Sequence, residues 1–463
     1  MNYQSIVETQ LADYSQKHSA PYAVAAVCCD GELVATASQR DAAFGELIDP
    51  ARTPFRIASM TKCFAAAAVL KLRDAGRLQL DRGVAEYVPE LRLDERWKRV
   101  TVRRLLRMRS GLPAADDPWA DRKLGESAAF LNAELFAGVQ FSNDAGEEYQ
   151  YSNLGYMLLG RVLSNVAGVS ALEYISRELL RPLGMSDTSW NYAARDGNAP
   201  RGAGGFRRTG DGFQAETEFR VESDLAVFGG LCSTLRDLAR WVGFFTDAHG
   251  TPSARRSQFE QVLAASSRRE MERLTAVMHP IDSVGKATNA MGYGYGLRGN
   301  FIGQEWFVGH SGGLPGFGSH MSWSQTRGIG VIALGNVTYF PANELCRGLW
   351  LDIQEQSPRV IASLRYGEET VVSRGLALVA AVRSDAASLP AELFADNVAL
   401  DEDLAELLEK LRHALSRRDA AAIEVRAERG LAGRIEVNGE PVVFFSLAPA
   451  EGMGVQRVDF YSA

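Results

Sequence analysis

Three short clusters in the chain carry side chains capable of acyl-transfer chemistry. Ser59-Met60-Thr61-Lys62 sets a hydroxyl and an amine three residues apart at the start of an apolar stretch, which on a helix puts both on one face, a single turn apart. A serine at its ordinary pKa is a poor nucleophile and needs a neighbouring base; a lysine partly withdrawn from water can take part in that proton transfer. Taken alone, the same four residues read as a helix start with a solvent lysine. Tyr151-Ser152-Asn153 offers a phenol that can accept and return a proton and an amide that can bind a carbonyl, or a packed tyrosine beside a helix cap. His310-Ser311-Gly312-Gly313 offers exposed backbone N–H groups and a polar side chain for a developing oxyanion, or simply a strand entering a glycine-rich turn.

The surrounding elements must bring these clusters together. From Tyr22 to Ser38 small and apolar residues flank Asp30-Gly31, the signature of a β-hairpin. Ser59 to Gly76 reads as a buried amphipathic helix, and Leu154 to Ala167, Leu172 to Leu183 and Leu235 to Phe245 repeat apolar residues at helical spacing. Strand character returns from Gly292 to Asn336, and a helix from Asn343 to Gln356 closes the unit. Strands at both ends of a helical middle, without βαβ alternation, predict an α+β fold in which distant parts of the chain share one antiparallel sheet. Beyond Ser357 the texture changes, and residues 357–463 read as a separate small α+β domain, with an apolar stretch from Leu376 to Val382, a helix from Leu404 to Leu415 and a hairpin around Ile435 to Gly439. The charged stretch from Arg255 to Arg273 reads as a solvated helical face.

In this order and spacing the three clusters resemble the motifs of the serine β-lactamase and penicillin-binding-protein superfamily. Further marks recur: Phe55-Arg56-Ile57-Ala58, Leu105-Leu106 with Ser110-Gly111-Leu112-Pro113, Pro182-Leu183-Gly184-Met185, Gly229-Gly230-Leu231 with Ser233-Thr234, Tyr295-Gly296 and Pro315-Gly316-Phe317. The resemblance spans Tyr22 to Gln356, within a first domain taken as residues 1–356, and implies a β-lactamase/transpeptidase-like antiparallel sheet flanked by helices, with a largely helical subdomain. By it, Ser59 is the acylated nucleophile, Lys62 its proton partner, Tyr151 the general base and acid, and Asn153 a ligand of substrate and lysine. The backbone N–H groups of Ser59 and Gly313 form the oxyanion hole, Gly312 belongs to the same substrate-binding strand, and His310 stands where a lysine is usual, as in the esterase and D-aminopeptidase branches. Met108 replaces a histidine common among relatives, at a position read as structural. Asp116-Asp117-Pro118-Trp119 and the Gly292 to Arg298 segment are candidates to line the site, with Trp119 as a stacking wall for substrate.

Two other motifs compete. Gly309-His310-Ser311-Gly312-Gly313 also satisfies G-x-S-x-G, which would make Ser311 the nucleophile with His320 or His413 downstream, but an elbow needs a helix after the strand and Leu314-Pro315-Gly316 follows. Gly294-Tyr295-Gly296-Leu297-Arg298-Gly299 matches a dinucleotide fingerprint without its βαβ unit. The six histidines show no metal-ligand spacing, so neither metal nor cofactor is expected. Cys63, next to Lys62, reads as a small buried side chain.

With 50 basic against 57 acidic residues in 463, the formal charge of −7 argues against partners that are nucleic acids or anionic membranes and favours a small-molecule or peptide substrate. The start of the sequence has no secretory pattern and the five cysteines are dispersed, which gives an expectation of a cytoplasmic protein with reduced thiols. The sequence therefore predicts a serine acyl hydrolase or transferase working through an acyl-enzyme on an amide or ester, such as a D-residue-containing peptide or a small ester. Two alternatives stay open: a penicillin-binding-protein-type thioesterase that releases or cyclises a nonribosomal peptide, and a non-catalytic ligand-binding homologue.

Overall fold

The computed structural model describes residues 2–45, 49–93, 95–114, 138–190, 202–210, 212–216, 223–249, 255–278, 291–302, 305–356, 368–395, 398, 403–416, 422–427, 431–447 and 454–461. The chain divides into two compact units, Met1–Gln356 and Ser357–Ala463.

The first unit opens with helix α1 (Tyr3–Lys17), which the sequence reading missed because only Ile6, Val7 and Leu11 mark its apolar face in an otherwise polar stretch. Strands β1 (Tyr22–Cys29) and β2 (Glu32–Arg40) form the expected hairpin. The short β3 (Phe55–Arg56) leads through a single 3-10 turn, Ala58–Met60, into α2 (Thr61–Asp74). Helices α3 (Val102–Leu106), α4 (Asn153–Ala167) and α5 (Ala171–Ile175) follow, the last running into a wider π turn at Ser176–Leu180. Next come a small hairpin of β4 (Phe206–Thr209) and β5 (Gly212–Ala215), then β6 (Cys232–Ser233), α6 (Leu235–Thr246), α7 (Arg256–Val262) and α8 (Ala265–Met271). Strands β7 (Ala276–Val277), β8 (Met291–Tyr293), β9 (Arg298–Ile302), β10 (Glu305–Leu314), β11 (Phe317–Trp323) and β12 (Ile329–Gly335) precede α9 (Ala342–Gln356).

The main sheet has the order β2-β1-β12-β11-β10-β9-β8-β7, with every neighbouring pair antiparallel. Both faces of its centre are covered, which is why β1 and β12 read as continuous apolar runs rather than alternating ones. Ala23, Ala25 and Val27 pack with Val331 and Ala333 against Leu11 of α1 and Leu345, Leu349 and Trp350 of α9. Val24, Ala26, Ile332 and Leu334 belong to the larger core containing α2, α4 and α6. Helix α2 is buried from Thr61 through Leu70, and the four consecutive alanines Ala65 to Ala68 suit an element surrounded on all sides. One expectation is corrected: the charged stretch from Arg255 to Arg273 is not wholly solvated. Arg268 is fully buried, its guanidinium 4.7 Å from the Phe244 ring centroid and its Nε donating to the Leu263 carbonyl, because Asp247 and Glu260 supply its counter-charge.

The second unit joins α10 (Glu368–Arg383) and α11 (Leu404–Ser416) to an antiparallel sheet of β13 (Ile423–Ala427), β14 (Ala432–Val437), β15 (Glu440–Leu447) and β16 (Val455–Phe460) around its own apolar core. The apolar stretch from Leu376 to Val382 lies in α10, and the hairpin turns at Asn438-Gly439. Among the described residues, no helix is long and apolar enough to cross a membrane.

Gly296 fixes the β8–β9 hairpin against α2. Its φ of +67° disfavours any L side chain, and an added Cβ would lie 2.7 Å from the Lys62 carbonyl oxygen. Gly296→Ala should therefore lower unfolding free energy by about 1–3 kcal/mol, measured by urea denaturation, and slow covalent labelling at Ser59; an unchanged urea midpoint would contradict this packing.

Candidate active site

Ser59 sits in the 3-10 turn that opens α2, on strained backbone: Ala58 just before it has φ +46°, uncommon for any residue but glycine. Three hydrogen bonds hold that turn. Ile57 N donates to Leu231 O at 3.0 Å, Ser319 Oγ donates to Ile57 O at 2.8 Å, and Thr61 Oγ1 donates to Ala58 O at 2.7 Å. Strand β10 presses against the same turn, and Gly312 makes this approach possible, since a Cβ there would lie 2.1 Å from the Ile57 carbonyl oxygen. Gly313 pairs with Gly318 across β11, and the Tyr339 ring would stand 2.7 Å from a Cβ at Gly313.

Lys62 is fully buried, and its Nζ donates to Ser59 Oγ at 2.9 Å and to the Phe228 carbonyl at 2.7 Å. The same ammonium lies 5.0 Å from the ring centroid of Tyr151 and 5.7 Å from that of Tyr156. Tyr151 precedes α4, whose cap is the Ser152 side chain accepting from Gly155 N at 3.4 Å; Asn153, buried, is the first helical residue. Met108 anchors this entry: its carbonyl accepts from Gln150 N at 2.7 Å and its sulfur from Ser152 N at 3.3 Å. The position read as structural thus holds the backbone on both sides of Tyr151.

A second cation faces the phenol. The Arg298 guanidinium lies 4.9 Å from the Tyr151 ring centroid, so two cations, Arg298 and Lys62, adjoin the phenol ring. Burial opposes ionisation of the phenol, but Lys62 and Arg298 outweigh it, aided by hydrogen bonds from Lys62 and Ser59, so the Tyr151 pKa falls below its ordinary value. The effect is an ammonium 2.9 Å from a hydroxyl and 5.0 Å from the ring centroid of a phenol of lowered pKa.

His310 is buried as well. Its Nδ1 donates to the Ser311 carbonyl at 2.5 Å, which leaves Nε2 to accept from Tyr293 OH at 3.2 Å. Burial, Arg298 and Lys62 together press its pKa well below the ordinary 6.5, so the ring is neutral at physiological pH. His310 therefore brings shape and hydrogen bonding but no charge, and Arg298, one strand away and paired in register with Gly309, supplies the cation. Tyr293 and Arg298 face each other across the β8–β9 turn.

Sequence reasoning placed these two residues only within a segment that could line the site; the readable signal was a tight glycine turn beside the strand carrying His310. The Phe228 carbonyl had no sequence signal at all. The segment Asp116 to Trp119 lies outside the described residues.

The rival motifs resolve in physical terms. Ser311 lies within β10 rather than at a strand-to-helix elbow, and its Oγ meets His320 Nδ1 at 2.8 Å, where burial and then Arg298 push the His320 pKa down to about 3. The glycine-rich match at Gly294 to Gly299 is the β8–β9 hairpin, closed by Gly294 N donating to Leu297 O at 2.9 Å, with no helix after it. Cys63 is buried, its Sγ donating to the Met60 carbonyl at 2.9 Å, and burial raises the thiol pKa far above its ordinary value. Among the described residues, no group of three or more His, Cys, Asp or Glu side chains is placed to hold a metal ion.

Residues 7–354 match the Beta-lactamase family. The chain belongs to that family. Among curated relatives of this beta-lactamase-family chain, Protein flp of Staphylococcus aureus (strain MRSA252) is 27% identical over 290 residues, covering 62% of this chain and 53% of the relative. The chain thus spans about half the length of the curated relatives it matches. Among solved structures, the octameric penicillin-binding protein homologue from Pyrococcus abyssi superposes with a TM-score of 0.64 at 20% identity, covering 100% of this chain and 97% of that one. The D-amino acid amidase from Ochrobactrum anthropi SV3 gives 0.62 at 24% identity, covering 77% and 99%. At these identities the superpositions establish the fold: an α+β arrangement of the β-lactamase/transpeptidase type.

Removing the Arg298 charge should return the Tyr151 pKa towards its ordinary value. The rate of Ser59 labelling by a fluorophosphonate, plotted against pH, should shift to higher pH in Arg298→Gln and return towards wild type in Arg298→Lys; superimposable profiles would show that Arg298 does not act on the phenol.

Proposed function

We propose that this beta-lactamase-family chain is a serine acyl hydrolase or transferase. Ser59 Oγ attacks an amide or ester carbonyl as its proton passes to the Tyr151 phenolate, while the Lys62 ammonium hydrogen-bonds both oxygens. The tetrahedral oxyanion is held by the backbone N–H groups of Ser59 and Gly313, with Asn153 binding the substrate carbonyl. Collapse expels the amine or alcohol, which takes its proton from the Tyr151 phenol, and leaves an ester on Ser59. Water or an amine then repeats the sequence in reverse and frees the serine.

The observation that carries this reading is the Lys62 Nζ to Ser59 Oγ contact of 2.9 Å beside a phenol of lowered pKa. The mechanism needs no cofactor. A substrate with a negatively charged group next to the reacting carbonyl, such as a peptide with a free carboxylate, suits a site whose hydroxyl and phenol are flanked by the cations of Lys62 and Arg298. The D-amino acid amidase with the same fold makes D-residue amides a natural first class to test. A cytoplasmic site of action stays part of the proposal.

Intact-mass measurement after incubation with a fluorophosphonate should show one adduct on the wild-type protein and none on Ser59→Ala. Tyr151→Phe should lower turnover of a p-nitrophenyl ester or D-amino-acid amide by about a hundredfold or more. An adduct surviving Ser59→Ala, or near-wild-type turnover by Tyr151→Phe, would refute the mechanism. Absence of any adduct on wild-type protein would favour a non-catalytic binder.

A further inference from the structure

In a chain whose net charge is negative, residues 98–109 gather six cations around one cleft. Its volume is about 320 Å³, and Lys98, Arg99, Arg103, Arg104, Arg107 and Arg109 line it with, among the described residues, a single acid, Asp81. The nearby carboxylates are taken by three of the six. Arg103 holds Asp81 through two hydrogen bonds, of 2.6 and 2.7 Å, and also approaches Glu270 at 3.5 Å; Lys98 pairs with Glu95 at 2.6 Å, and Arg99 stands 3.8 Å from Asp144.

Arg104, Arg107 and Arg109 meet no carboxylate among the described residues. Arg104 donates to the Arg99 carbonyl, and Arg109 donates to the Glu147 carbonyl at 2.6 Å. Arg107 lies over the Tyr295 ring, 5.1 Å from its centroid, and donates from Nη2 to Tyr295 OH at 3.3 Å, while its buried Nε meets no hydrogen-bond partner among the described residues. Partly buried guanidinium groups that face one another without an acid repel, and a fold keeps them together at a cost that a bound anion removes.

We propose that this cleft is a binding site for a compact, multiply charged oxyanion of the oligophosphate class. A guanidinium fork is satisfied by two acceptor oxygens, so a single carboxylate answers one fork, whereas three forks around one cavity call for the clustered oxygens of linked phosphates. Among the described residues no aromatic side chain lines the cleft, so they offer no platform on which a nucleic-acid base would stack. The volume lies near the lower end of small-ligand pockets, in keeping with a phosphate chain rather than a large conjugate.

The site is separate from the acyl-transfer machinery but shares a wall with it. Gly146 lines the cleft and its N–H donates to the Arg109 carbonyl at 2.8 Å; the Met108 carbonyl accepts from Gln150, the residue before Tyr151. The proposal does not rest on the reaction assigned to Ser59.

Calorimetric titration of the full chain with phosphate, pyrophosphate and tripolyphosphate, at about 0.15 M salt, tests it. Saturable one-site binding should tighten along that series. Arg104→Gln/Arg109→Gln should weaken tripolyphosphate binding by about tenfold or more, and Arg104→Lys/Arg109→Lys, which keeps the charge but loses the forks, by less. Equal melting temperatures of the variants and the wild type would exclude misfolding as the cause; should the glutamine pair unfold, the lysine pair read against wild type decides.

Sedimentation with phosphatidylcholine vesicles, with and without phosphatidylglycerol, separates the sources. Tripolyphosphate binding with capture only by anionic vesicles, competed by tripolyphosphate, identifies a lipid headgroup; tripolyphosphate binding without capture identifies a soluble oligophosphate. No saturable tripolyphosphate binding, citrate binding as tightly as tripolyphosphate, or wild-type affinity in the glutamine pair would overturn the proposal.

Discussion

The ammonium of Lys62, fully buried at the start of α2, is the constraint around which the first unit is organised. A charge withdrawn from water is tolerated only where hydrogen bonds and opposite charge replace its hydration. Here the Phe228 carbonyl and Ser59 Oγ take two of its N–H groups, and the Tyr151, Tyr156 and Phe228 rings enclose it. These partners come from three parts of the chain: Ser59 beside Lys62 itself, Tyr151 and Tyr156 at the entry to α4, and Phe228 before β6. The arrangement satisfies a buried cation and, by the same contacts, places a hydroxyl and a phenol where a proton can move between them.

Two close approaches make that geometry possible. At Gly296 the β8–β9 hairpin rests on the backbone of Lys62, and at Gly312 strand β10 rests on the turn before Ser59. Side chains at either point would separate sheet from helix. The hairpin also delivers Arg298, so the element that clamps α2 is the one that places a second cation on Tyr151. With His310 neutral, the charge that favours the phenolate comes from Lys62 and Arg298, on two different elements.

Much of this was readable from local pattern. Ser59 with Lys62, Tyr151 with Asn153, and His310 to Gly313 are short motifs whose spacing survives in the sequence, and the Asp30-Gly31 and Asn438-Gly439 turns predicted hairpins that the structure contains. What escaped depends on register and on distant partners. Arg298 reaches the site because β9 pairs with β10 so that it stands opposite Gly309, a relation absent from any window of the sequence. Arg268 looked like one of many surface charges because its partners, Asp247 and Glu260, sit on other turns of the fold. Helix α1 escaped because its apolar face is only three residues deep and is completed by α9 from the far end of the unit.

The central claim is that Lys62 and Arg298 lower the Tyr151 pKa and so fit the phenol to act as a base. Tyrosine labelled with carbon-13 at Cζ, followed by NMR against pH and assigned by loss of the signal in Tyr151→Phe, measures this directly. The account predicts a Tyr151 resonance that moves to its phenolate position below the ordinary phenol pKa of about 10. A resonance that titrates at or above that value would contradict it.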